Sequence, residues 1–191
     1  RAQALAGGTA GGPRAHLAPG ELNPPRKLIS PSPSSGPLVS VLVPVRDGGR
    51  TLGLALASIL AQTHRELEVL VVDDGSSDDS RAVAEAHARR DARVRVLDSR
   101  GRGIVDALET ARAAASGPVL ARMDADDVAL PGRIEAQVRV LAADPGAVLC
   151  GAGVRYVPDR RVRDGARRYA AWLNGLTTPW RLELGRFVEC P

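Results

Sequence analysis

In the stretch LARMDADDVALPGRIEAQ, residues 120–137, three of the four positions from Asp124 to Asp127 are aspartates. Three carboxylates so close repel one another unless positive charge lies among them, whereas capping a helix needs only one. Asp126 or Asp127 can serve as the cap of the helix that follows Leu130-Pro131. The cluster is better matched to Mg2+ or Mn2+, hard cations that take carboxylate oxygens, keep some waters and bind substrate phosphates. An EF-hand is excluded, because no glycine follows in register. A second acidic stretch, VVDDGSSDDS (71–80), ends an apolar run and opens a helix. Ser76, Ser77 or Asp78 can cap that helix and Gly75 supplies a turn. Asp73 and Asp74 are divided evenly between a capping role and a ligand role, in which a carboxylate accepts from a nucleobase amide or a ribose hydroxyl. A third place, RGRG (100–103), holds only a fragment of a phosphate loop, with Arg100 and Arg102 as cations for a diphosphate.

Other chemistries lack their residues. His16, His64 and His87 share no ligand spacing, and neither a GxSxG elbow nor a Walker GK[ST] occurs. Cys150 and Cys190 stand far apart with no CxxC, which fits a reducing compartment. Hydrophobic residues at 44% and charged residues at 25% are the balance of a globular protein. The net charge of +4 comes from arginines spread along the chain, with one lysine, Lys27. With aromatics at 3%, little is available to stack on bases, so nucleic acid is not an expected partner. The longest apolar stretch, LGLALASILA (52–61), is too short to span a bilayer and too deep in the chain for a signal peptide. The expected location is cytoplasmic, or peripheral at the inner face of a membrane through sequence outside these residues.

These strand-end residues need elements to hold them. Residues 1–37, with seven prolines and six glycines, read as a disordered leader. From Leu38 short apolar runs alternate with helical segments. The strands are expected at 38–44, 67–74, 92–98, 118–124 and 147–153, and the first is ended by Pro44. Helices are expected at 50–62, 77–90, 104–115 and 131–144. This is an α/β pattern, a mainly parallel sheet with helices on both faces. In such sheets ligands bind outside the carboxyl ends of the strands, where the acidic and glycine-rich stretches fall. Residues 38–153 are expected to form this domain. Residues 154–191 read as a basic loop (155–168) and a helix around TTPWRLELG (177–185).

Taken together, VSVLVPVRDGGRTLGLALASILAQTHRELEVLVVDDGSSDDS and GIVDALETARAAASGPVLARMDADDVALPGRIEAQ resemble the family-2 glycosyltransferases of GT-A fold, from about Val39 to Gly153. Three motifs stand in the family's order: the strand ending in Pro, the Asp-Asp-Gly-Ser strand end and the Asp-x-Asp-Asp strand end. The resemblance implies a nucleotide-sugar donor, usually a UDP-sugar, and transfer to an acceptor hydroxyl with inversion. It implies that Pro44, Val45, Arg46 and Asp47 line the nucleoside pocket and that Asp74, with Asp73, meets the base. It places Asp124 near the ribose and metal, and Asp126 on the divalent ion that holds the diphosphate. The chain departs from the family where an aromatic residue is common (Arg46), where Asn is common (Asp47), and at Glu109 and Ala111, where Asn-x-Gly is common.

The family's general base comes from the second half of its domain, and neither Glu183 nor Glu189 sits in a recognisable base motif. The 191 residues, which begin at Arg1 and stop at Pro191, are therefore expected to be a donor-binding portion that is inactive alone, with 154–191 the start of an acceptor side. The acceptor class is open among carbohydrate, lipid-linked and protein hydroxyls. Two other readings share the pattern: a non-catalytic nucleotide-binding module, and a phosphoacceptor receiver domain.

Overall fold

The computed structural model of the chain describes residues 36–157 and 162–177. Strands β1 (Val39–Val45) and β2 (Leu67–Asp73) are buried along nearly their whole length, as runs with apolar residues on both faces require. Between and after them come α1 (Gly49–Leu60), α2 (Ser80–Ala88), β3 (Val94–Asp98), α3 (Ile104–Ala114), β4 (Val119–Arg122), α4 (Arg133–Ala143) and α5 (Asp164–Asn174). The four strands pair in parallel in the order β3-β2-β1-β4. This order argues against the receiver reading, whose sheet sets the first strand between the second and the third.

The pleat sends alternate side chains to two cores. Val41, Val43, Val69 and Val71 join Leu52, Leu56 and Ile59 of α1, Ala84 of α2 and Ile134 of α4. Leu42, Leu70 and Val72 face the other way, onto Ala107 and Ala111 of α3. Burying a Leu or Ile side chain contributes about 1.5–3 kcal/mol, so Leu52, Leu56 and Ile59, all fully buried, anchor α1 firmly. Leu56→Ala would cost about 2–5 kcal/mol.

Proline is tolerated in this central strand for a geometric reason. The Leu42 carbonyl bonds Met123 N–H on the β4 side, and the Val45 carbonyl bonds Asp74 N–H on the β2 side. Pro44, two residues after Leu42, therefore faces β4, whose pairing has already ended at Leu42 and Arg122. Its missing N–H leaves no ladder bond unmade, and the strand continues one residue past it.

Three expectations need correction. Residues 147–153 form no strand: Val148 and Leu149 are 94% and 84% exposed, and among the described residues nothing pairs with the outer edge of β4. A short apolar run carries no periodicity that marks it as a strand, so it depends on a neighbour. The stretch 155–168 is not loop throughout, because α5 starts at Asp164, and Asn174 near its end bonds both N–H and carbonyl of Val154. Asp127 does not cap the fourth helix, since α4 begins only at Arg133 with Gly132 in the cap position. The leader up to residue 35, nearly all of 177–185, His16, Glu183 and Glu189 lie outside the described residues. No helix among the described residues is long and apolar enough to cross a membrane.

Candidate functional site

The order β3-β2-β1-β4 means the chain builds outward from β1 in one direction, then returns to place β4 on its other side. The carboxyl ends of β1 and β4 therefore flank a topological switch point, where the loops part and leave a crevice. A Cβ at Gly48, after β1, would lie 3.5 Å from the Ala125 Cβ inside the Asp124–Asp127 turn. A Cβ at Gly75, after β2, would lie 3.6 Å from the Gly101 Cα after β3. Four strand ends thus form one continuous rim, and it collects all the candidate residues.

The loop after β1 is held from β2. Asp47 takes a left-handed backbone (φ 52), unusual for a residue with a side chain. Its amide donates to Ser76 Oγ at 3.0 Å, and its carboxylate accepts from the Ser77 amide at 2.7 Å and from the Ser77 hydroxyl. These bonds, the Ser77 amide foremost, hold its carboxyl below the ordinary range. Gly48 N–H donates to Ser80 Oγ and Gly49 N–H to Asp78 Oδ2, both at 2.9 Å. Ser76 and Asp78 therefore serve the β1 loop and the start of α1, although the sequence offers them as caps of α2. The cap position of α2 falls to Asp79, which makes no side-chain cap bond. Asp78 does touch α2, accepting from the Ser80 amide and hydroxyl.

Deeper on the rim, Asp73 and Asp74 are 6% and 3% exposed. Asp73 Oδ1 accepts the Ser76 amide at 3.0 Å, and Oδ2 has no donor among the described residues. Asp74 Oδ1 accepts the Ser99 hydroxyl, and Oδ2 accepts the Gly103 amide at 2.9 Å. Gly103 stands in the cap position of α3 with φ 99, a conformation that favours glycine. The Asp74 charge thus sits at the positive end of α3. Arg46 Nη1 lies 4.0 Å from Asp74 Oδ2 with its side chain largely in solvent. Arg102 is exposed on the same rim. Pro44 and Val45 are buried. Val45 spends its side chain in the α1 core, so its part is to hold the end of β2 through its carbonyl.

Across the switch point, Arg122 clasps Asp124 with Nε at 3.1 Å and Nη2 at 3.0 and 3.2 Å from its oxygens. Asp126 is exposed, and its carboxylate makes no hydrogen bond or ion pair with any described residue. The Asp127 carboxyl is pushed up, first by burial and then by Asp126 and Asp124. Three carboxylates here face two guanidinium groups, those of Arg122 and Arg133, so the turn carries a surplus of negative charge. Two hard carboxylates, Asp124 and Asp126, at an open turn fit Mg2+ or Mn2+, which use one or two carboxylates plus water and phosphate. A closed site of three or more protein ligands is not found among the described residues.

The seat of this turn was not visible in the sequence. Gln62, fully buried at the end of α1, donates to the Leu130 carbonyl at 2.8 Å and accepts the Ile134 amide at 3.0 Å. Ser58 Oγ accepts the Ala129 amide at 3.0 Å, and the Pro131 carbonyl accepts the Thr63 amide at 2.8 Å. From α4, Arg133 donates to the Arg122 carbonyl at 2.9 Å. The only signal available was polar residues at the end of an otherwise apolar helix.

The profile of glycosyl transferase family 2 matches residues 40–188, most of the chain and all four strand ends. The chain belongs to that family. It is 30% identical over 125 residues to an uncharacterized glycosyltransferase of Haemophilus influenzae, covering 65% of this chain and 39% of the relative. It is 37% identical over 91 residues to the uncharacterized glycosyltransferase EpsJ of Bacillus subtilis, covering 48% of this chain and 26% of that one. Among solved structures it resembles the mannosyltransferase PcManGT from Pyrobaculum calidifontis, determined in complex with GDP-Man and Mn2+. That likeness has a TM-score of 0.54 at 29% identity, over 64% of this chain and 36% of PcManGT. This family-2 chain thus spans less than two fifths of the length of each of these relatives, and its α/β architecture is that of the family's GT-A glycosyltransferases.

Proposed function

We propose that the chain is the donor-binding part of an inverting glycosyltransferase that moves a sugar from a nucleotide-diphospho-sugar to an acceptor hydroxyl. A UDP-sugar is the first donor to test, and GDP-mannose the second, because PcManGT was solved with GDP-Man. The observation that carries the reading is the meeting of two acidic strand ends on one rim, Asp73 and Asp74 after β2 and Asp124 and Asp126 after β4. In this reading residues 38–153 form the donor domain and 154–191 begin the acceptor side.

Roles follow from the chemistry of each group. Asp73, buried with one oxygen lacking a donor among the described residues, accepts from the base or ribose. Asp74 fixes the turn before α3 and, through Arg46, the rim next to it. Pro44 and Val45 shape the floor, and the exposed Arg46 and Arg102 offer charge to the phosphates with Asp47 beside them. Asp126, with Asp124, holds Mg2+ or Mn2+. When bound, the ion supplies positive charge against the diphosphate as it leaves. In the transfer the acceptor oxygen bonds to the anomeric carbon opposite the diphosphate. The sugar–phosphate bond breaks with its electron pair going to the diphosphate, and the hydroxyl proton goes to a base from the acceptor side. No carboxylate of the described residues is assigned as that base.

The test is to give the whole protein UDP- and GDP-sugars with Mn2+ and follow the anomeric proton of the first-formed product by NMR. An α-linked donor should yield a β product. Retention of configuration, or no consumption of any donor, would contradict the proposal.

A further inference from the structure

Arg122 is the last residue of β4, and its backbone is fixed on two sides. It pairs with Leu42 of β1, and its carbonyl accepts from Arg133 at 2.9 Å. Its side chain is not fixed by packing: 45% of it is exposed, against 36% for Asp124. It nevertheless makes three contacts of 3.0–3.2 Å with Asp124. A pair that open to water contributes little to folding, because solvent screens it and ordering two long groups costs entropy. The guanidinium instead occupies the position of a cation among the aspartates, while Asp126, two residues after Asp124, has no partner among the described residues.

Resting on the reading of this turn as the metal and diphosphate site, we propose that Arg122 is a positioning residue that competes with the divalent ion for Asp124. It yields that carboxylate when a nucleoside diphosphate arrives and takes up its charge. The consequence is conditional binding. With no nucleotide, a metal ion must displace Arg122 from Asp124 or settle for Asp126 alone. With nucleotide present, the released fork has phosphate oxygens to meet in a bidentate way, which suits Arg better than Lys. The weakness of the pair is what lets it open, and the fixed backbone keeps the guanidinium within reach of the rim.

The experiment counts free Mn2+ by electron paramagnetic resonance on the intact chain, with and without UDP or GDP, for wild type, R122M and R122K. R122M should bind Mn2+ alone roughly two- to fivefold more tightly, the range an exposed ion pair commands. Its gain in Mn2+ affinity on adding nucleotide should be smaller than that of wild type. R122K, which keeps the charge but loses the fork, should fall between them. Thermal unfolding in EDTA should show both variants folded, because the replaced side chain is exposed. A residue that merely braces the loop would weaken both measurements together. Equal or weaker binding of Mn2+ alone by R122M would overturn the inference while leaving the site itself standing. Absence of Mn2+ binding by wild type, with and without nucleotide, would overturn the inference and the site together.

Discussion

At Asp127 the electrostatic state of the acidic turn is readable in a single side chain. Burial first, and then Asp126 and Asp124, raise its carboxyl above the ordinary value. An acid with a raised folded pKa opposes folding once ionised, and that penalty fades as pH falls through the folded value. Asp127→Asn should therefore stabilise the metal-free chain at neutral pH, by less than about 1 kcal/mol because solvent screens a carboxyl only partly withdrawn from water. Urea unfolding in EDTA measures it, and a destabilised variant would contradict the charge surplus. Asp74 is tied into the rim by its donors. It is 3% exposed and accepts from the Ser99 hydroxyl and the Gly103 amide. Asp74→Ala strands both donors and should cost about 1–3 kcal/mol of stability, quite apart from any loss of ligand binding.

Helix α1 is the element that ties the acidic turn to the rest of the domain. Just past its end, the buried Gln62 satisfies the Leu130 carbonyl and the Ile134 amide on either side of Pro131. Gln62→Leu keeps the volume and removes these two bonds and a third to the Ser58 carbonyl, so unfolding should require about 1–3 kcal/mol less. It should also weaken Mn2+-dependent nucleotide binding, because the turn loses its seat. Unchanged binding in Gln62→Leu would show that the turn is held elsewhere. Much of this architecture was legible in the sequence, because hydrophobic spacing is a local property. The runs at 67–74 and 92–98, and the helices after them, appear within a few residues of their expected ends. Gln62, Ser76 and Asp78 were misjudged or missed because their partners lie far away in sequence. Asp78, for instance, serves Gly49 across 29 positions. A capping rule reads only the helix that follows. The exposed 147–153 run failed for a related reason, since a strand exists only where a neighbour accepts its hydrogen bonds. The rim itself was recoverable, because parallel strands deliver their ends to one edge and each end carries its own polar signature.

Taken whole, the domain separates an acidic, glycine-rich rim at the carboxyl ends of its strands from a structural clamp at the opposite ends. Glu68 lies at that clamp, accepting from Ser40 Oγ at 2.6 Å and from the amides of Ser116 and Gly117. Burial raises its carboxyl, but the donors of Ser40, Ser116, Gly117 and Arg95 outweigh this and hold it below the ordinary value. For an acid with a lowered folded pKa, the stabilisation is full above the unfolded value of about 4.3 and is lost as pH falls through the folded one. Glu68→Gln should flatten that part of the acid unfolding profile, and an unchanged profile would remove Glu68 as a cause. The central claim concerns the rim, where membership of glycosyl transferase family 2 and the pairing of two acidic strand ends converge. Its most direct test is thermal unfolding with UDP or GDP, in Mn2+ and in EDTA, for wild type and Asp126→Ala. Ligand at about a hundred times its Kd adds about 2.7 kcal/mol to the folded state, well within reach of the measurement. The account predicts nucleotide stabilisation of wild type that requires Mn2+ and is lost in Asp126→Ala. Full metal-dependent stabilisation in Asp126→Ala, or none in wild type with either nucleotide, would contradict it.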